Sequence, residues 1–144
     1  MTKIMIVEDN DDVRYAIRES LSSTDPDYKV VDVETGEECL SSLSDENPDL
    51  ILMDIMMPGT DGMQTAIMIR DNPDYEHIKI VFLTAKTDSL TKGLGSLNGE
   101  YFIEKPFDPS DLSKKVKAAL NSEIIRDDED KDDDRVFHDE LNKI

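Results

Sequence analysis

Short apolar runs alternate along the chain with longer stretches of mixed polarity, and the two kinds of segment carry different periods. Lys3-Ile4-Met5-Ile6-Val7, Lys29-Val30-Val31-Asp32-Val33, Leu50-Ile51-Leu52-Met53, Ile78-Lys79-Ile80-Val81-Phe82-Leu83 and Tyr101-Phe102-Ile103 are strand-sized and rich in Ile and Val. The first, third and fourth are apolar with almost no alternation, as central parallel strands covered on both faces should be. Between the runs, apolar residues recur at helical spacing: Val13, Ala16, Ile17 and Leu21; Met63, Ala66 and Ile67; Leu90, Leu94 and Leu97; Leu112, Val116, Ala119 and Leu120. Thr35 followed by Glu38 has capping-box spacing, and Asp108-Pro109 places an N-cap residue before a proline at the first helical position. Together these predict an α/β fold of repeated βα units around a parallel sheet.

Length limits the fold to one core, since 144 residues leave no room for a second domain of ordinary size. Charge narrows the function. Lys and Arg number 16 against 34 Asp and Glu, a net charge of −18, which repels phosphodiester backbones and anionic lipid. No direct nucleic-acid or membrane binding is expected. No apolar run approaches the ~18 residues of a membrane span. Ile4 to Val7 runs straight into Glu8-Asp9 without a signal-peptide cleavage pattern, so a cytoplasmic protein is expected. The single cysteine, Cys39, excludes an internal disulfide and fits a small buried hydrophobe.

The charge is unevenly spread: residues 121–144 hold 10 acids and 4 bases, a net −6 in the last sixth of the chain. The run from Asp127 to Asp134 has nothing to bury, so the chain divides into a folded unit over 1–121 and an acidic, flexible tail or linker over 122–144. Beyond that run, Val136, Phe137, Leu141 and Ile144 keep helical spacing. They are either stray apolar residues of a disordered end or a short amphipathic helix that orders against another surface.

Chemistry gathers at the strand ends. The first strand runs into Glu8-Asp9, the third into Asp54, the fourth into Thr84 and the fifth into Lys105. The C-terminal ends of parallel strands share one edge, where such sheets bind ligands. Two carboxylates ~4 Å apart repel by about 4 kcal/mol at an effective dielectric near 20. Three together want a cation, and an all-oxygen set suits Mg2+.

These residues resemble the receiver domain of the two-component response regulators. The likeness spans residues 3 to about 121 and rests on Glu8-Asp9, on Asp54 within Leu50 to Gly62, on Thr84-Ala85 and on Lys105-Pro106-Phe107. It implies a flavodoxin-like (βα)5 three-layer sandwich with parallel sheet order 2-1-3-4-5. It implies further that Asp54 accepts a phosphoryl group from a sensor histidine kinase or phosphotransfer protein. Mg2+, for which Mn2+ can substitute, would be held by Glu8, Asp9, Asp54 and the backbone carbonyl of Met56. Thr84, the backbone of Ala85, and Lys105 would bind the phosphoryl oxygens. Phe102 is open between two readings, a core aromatic or a switch residue that swings as Thr84 moves. Where many family members have tyrosine, this chain has Phe102, and Met56 and Lys86 flank the path of the hydrolytic water. His77 and His138 have only weak cases as phosphotransfer groups.

Two other phosphate-handling classes do not fit. A haloacid-dehalogenase phosphatase needs an acid two residues after its nucleophile, where this chain has Met56. A flavodoxin needs a hydroxyl- and glycine-rich loop after the first strand, where Glu8-Asp9-Asn10-Asp11-Asp12 would repel the FMN phosphate. The chain is therefore expected to be a signalling phosphoacceptor rather than an enzyme. It would act through a downstream protein partner, with phosphorylation-dependent homodimerisation as one route. The alternatives are the receiver part of a longer signalling protein and a non-phosphorylated interaction module.

Overall fold

The computed structural model describes residues 1–57, 60–85 and 101–121. In order they form β1 (Thr2–Val7), α1 (Asp11–Thr24), β2 (Tyr28–Val33), α2 (Gly36–Glu46), β3 (Leu50–Asp54), β4 (Met56–Met57), β5 (Thr60–Asp61), α3 (Gly62–Arg70), a 3-10 turn (Pro73–Tyr75), β6 (Lys79–Ala85), β7 (Tyr101–Lys105) and α4 (Pro109–Leu120). The main sheet is parallel with order β2-β1-β3-β6-β7, which is 2-1-3-4-5 counted over its own strands. Met56–Met57 and Thr60–Asp61 form a two-stranded antiparallel ribbon that no periodicity announces.

Three of the helices, α1, α2 and α4, start where a side chain can accept from a backbone N–H that the first turn leaves unpaired. Asn10 caps α1 through the Val13 N–H, Thr35 caps α2 through that of Glu38, and Asp108 caps α4 through that of Ser110. Successive side chains of β1 point to opposite faces. Ile4 and Ile6 pack with Ile17 and Leu21 of α1 and Leu112, Val116 and Ala119 of α4. Met5 and Val7 pack with Cys39 and Leu43 of α2 and Ala66 and Ile69 of α3. The sandwich thus has three layers, and burying each Leu or Ile contributes roughly 2 kcal/mol. On the α1 and α4 side, the Thr24 and Ser113 hydroxyls also meet at 2.6 Å.

Two predicted core positions are corrected. Ala16 is exposed, because the buried line of α1 runs through Ile17 and Leu21 only, with Val13 partly covered. Ile67 is 53% exposed, because α3 turns Thr65, Ala66 and Ile69 inward instead. Cys39 is fully buried, and that burial pushes its thiol up to about 12. The predicted Leu90, Leu94 and Leu97 stripe, Lys86, His138 and the acidic tail lie outside the described residues.

Candidate functional site at the C-terminal sheet edge

The parallel register brings the strand-end residues together. The Glu8 N–H donates to the Val33 carbonyl at 3.2 Å, extending the β1 and β2 ladder by one residue and drawing Glu8 down to 1% exposure. Its Oε2 accepts from the Asn10 N–H at 3.1 Å, so the loop entering α1 folds back on the carboxylate. Asp54, 3% exposed, is the last residue of β3 and lies opposite Leu83 of β6. The Met56 N–H donates to Asp54 Oδ1 at 3.2 Å. Thr84 follows Leu83 at the end of β6 and is buried, and Ala85 aligns with Lys105 across β6 and β7. Asp54, Thr84 and Lys105 are all strand residues, which fixes their backbones more tightly than a loop would.

Lys105 joins the two buried acids. Its Nζ lies 3.0 Å from Glu8 Oε1 and 3.2 Å from Asp54 Oδ2. Among the described residues one ammonium faces two buried carboxylates and the exposed Asp9 beside them, and it cannot balance all three. Carboxylate oxygens of Glu8, Asp9 and Asp54 lie within 4.8 Å of one another, so the trio can hold a metal ion. The donor set is all oxygen and anionic, with Asp9 open to solvent, which fits a hard divalent cation that keeps some of its water. Burial pushes the Glu8 carboxyl up to about 7, helped by the charge of Asp54 and opposed by Lys105 and the Asn10 N–H. For Lys105, burial acts downward, but the bond to Glu8 and the charges of Asp54 and Glu8 outweigh it and leave its pKa raised. It is an ammonium at neutral pH.

The remaining sequence-picked residues spread out. Phe102 is half-buried against the core, its ring centroid 5.2 Å from that of Phe82 at an interplanar angle of 36°, and its carbonyl accepts from Lys115 Nζ at 3.2 Å. Met56 is 69% exposed. His77 pairs with Asn47 Oδ1 at 3.1 Å, next to the N-terminal ends of β3 and β6 and so at the opposite edge from the acids. Two residues that patterning left without a role stand against the site. Gly62 donates its N–H to the Ile55 carbonyl and brings α3 onto the backbone of Asp54, and Arg14 donates to the Glu8 carbonyl.

This chain belongs to the response regulator receiver family: the family model described as the response regulator receiver domain matches residues 4–117. Members are phosphoacceptors in two-component signalling. Over 120 residues, 83% of its length, the chain is 36% identical to the transcriptional regulatory protein ResD of Bacillus subtilis, of which the match covers 48%. It spans about half the length of the curated relatives first matched. Among solved structures, the signal receiver domain of a signal transduction histidine kinase from Syntrophus aciditrophicus superposes with a TM-score of 0.75 at 30% identity, covering 85% of this chain and 92% of that one. The chemotaxis response regulator CheY4 of Vibrio cholerae gives 0.74 at 27% identity, covering 83% and 98%. No helix among the described residues is long and apolar enough to cross a membrane.

Proposed function

We propose that Asp54 takes a phosphoryl group from the phosphohistidine of a sensor kinase or phosphotransfer protein and that this changes the surface offered to a downstream protein partner in the cytoplasm. The observation that carries this is the single ammonium of Lys105 shared between buried Asp54 and buried Glu8 beside exposed Asp9. Asp54 Oδ attacks phosphorus, the P–N bond breaks, and its electron pair returns to the donor imidazole. Glu8, Asp9, Asp54 and the Met56 carbonyl would hold Mg2+, or Mn2+ in its place, which when bound neutralises the phosphoryl oxygens. Lys105 is placed to leave Glu8 and follow the new charge on Asp54, and the Thr84 hydroxyl and the Ala85 N–H supply donors from β6. Phe102, packed on Phe82 and bonded through its carbonyl to α4, would report the change to that helix. Residues 1–121 are the receiving unit in this proposal. Output passes through protein contacts, phosphorylation-dependent self-association among them, whether the chain acts alone or within a longer regulator.

The test is site mapping. Acetyl phosphate with Mg2+ should add one phosphoryl group, located at Asp54 by borohydride reduction and peptide mass analysis. A phosphoryl group mapped elsewhere would sink the assignment.

The pH dependence has a definite sign. With its folded pKa raised from 4.5 to about 7, Glu8 favours the metal-free fold below the unfolded value, and that contribution is lost as pH rises through 7. Mg2+ must displace the Glu8 proton at low pH, so its affinity should fall roughly tenfold per unit below pH 7 and level off above. Thermal shifts measured at several pH values, each with and without Mg2+, check this. An equal Mg2+ response at pH 5.5 and 8 would mean that Glu8 holds no proton for Mg2+ to displace.

A further inference from the structure

Arg14 stands in the first turns of α1, its side chain only 15% exposed, and its guanidinium ties the loop after β1 and strand β2 to the start of its own helix. Nη1 donates to the Glu8 carbonyl at 2.9 Å and Nε to Asp32 Oδ2 of β2 at 3.0 Å, while Nη2 donates to Asp11 Oδ1. The Val33 carbonyl holds the Glu8 N–H on the other side, so both polar backbone groups of Glu8 are anchored immediately before Asp9. Arg18, one turn later, also binds Asp32, at 2.7 Å, but its second bond runs to the Val30 carbonyl, away from the acidic loop.

We propose that Arg14 is a positioning residue for the divalent-cation site: by pinning the Glu8 carbonyl to α1 and β2 it fixes the peptide that aims Asp9 at Glu8 and Asp54. Asp9 is exposed, so its direction depends on the backbone that carries it. Ligands ordered beforehand lose less freedom on binding, which is why partners of ligands govern metal affinity. A planar fork can hold a carbonyl and two carboxylates at once, whereas a lysine brings the charge without that geometry. The assignment rests on the proposal that Glu8, Asp9 and Asp54 bind Mg2+.

Mg2+ titrations of the full chain, followed through the backbone amides of residues 8–12, separate the possibilities. Arg14→Lys and Arg14→Met should each bind Mg2+ about tenfold more weakly than wild type. Arg18→Lys should stay within about twofold, because it disturbs the shared Asp32 without touching the loop. If Arg14 acted only as a nearby positive charge, Arg14→Met would tighten Mg2+ and Arg14→Lys would leave it unchanged; either result overturns the proposal. An equal loss in Arg18→Lys overturns it too, in favour of a general loosening of α1 against β2. Should Arg14→Met fail to fold, Arg14→Lys decides alone. A wild type that binds no Mg2+ removes the metal site itself and this inference with it.

Discussion

Gly62→Ala is expected to destabilise the protein by about 3 kcal/mol, the upper part of the usual range for overpacking. A Cβ at Gly62 would stand 2.1 Å from the Asp54 carbonyl oxygen and 2.9 Å from the Asp54 carbonyl carbon and the Ile55 Cα. All three are backbone atoms, so no side chain can rotate out of the way. Either α3 withdraws, uncovering Ala66 and Ile69, or the end of β3 shifts and carries the Asp54 carboxylate away from Lys105. Both routes impair the site, so phosphorylation should fall along with stability. Urea unfolding of Gly62→Ala beside Ile67→Ala gives the measurement, the latter changing an exposed residue of the same helix by at most about 0.5 kcal/mol. A wild-type midpoint in Gly62→Ala would mean that α3 does not press on β3 as described.

Lys105→Met should slow phosphorylation by acetyl phosphate about a hundredfold, while Mg2+ binds as tightly as in wild type or more tightly. The opposite signs follow from one geometry. The Lys105 ammonium touches both Glu8 and Asp54, so before reaction it competes with any other cation for the two carboxylates. In the proposed transfer, negative charge builds on the phosphoryl oxygens, and the ammonium already beside Asp54 would stabilise it. Methionine fills similar volume and removes the charge together with its contacts to Glu8 and Asp54. Single-turnover phosphorylation and a parallel Mg2+ titration read the two effects. A wild-type rate in the variant would remove Lys105 from the transfer step.

The sheet is legible in the sequence because the central parts of β1, β3 and β6 are buried on both faces and so read as apolar runs with almost no alternation. The converging acids are legible for a related reason: each follows directly from such a run, and parallel strands end on one edge. The helix faces are less so. Met63, Ala66 and Ile67 satisfy helical spacing as well as the true inward set does, and only the docking of Gly62 against Asp54 fixes the rotation of α3. Glycine carries no hydropathy signal, so a requirement for a missing Cβ is invisible until the backbones are placed. Arg14 is hidden differently. A charged residue on an amphipathic helix reads as solvent-facing, yet here two arginines fold over Asp32, which β2 alone would present as an exposed edge acid. The arginine bonds outweigh the burial of Asp32 and leave its pKa lowered.

The meeting of α1 with α4 bears on how the chain is made. Ile17 and Leu21 share their core with Leu112, Val116 and Ala119, and the Thr24 to Ser113 hydroxyl contact spans 89 residues. Contacts of such high sequence separation slow folding, because the entropy of closing the intervening chain must be paid before the contact rewards it. During synthesis the apolar stripe of α1 therefore leaves the ribosome long before its partner helix exists. Until α4 has emerged, the part of that face covered by Leu112, Val116 and Ala119 stays bare, while Ile4 and Ile6 of β1 cover the rest.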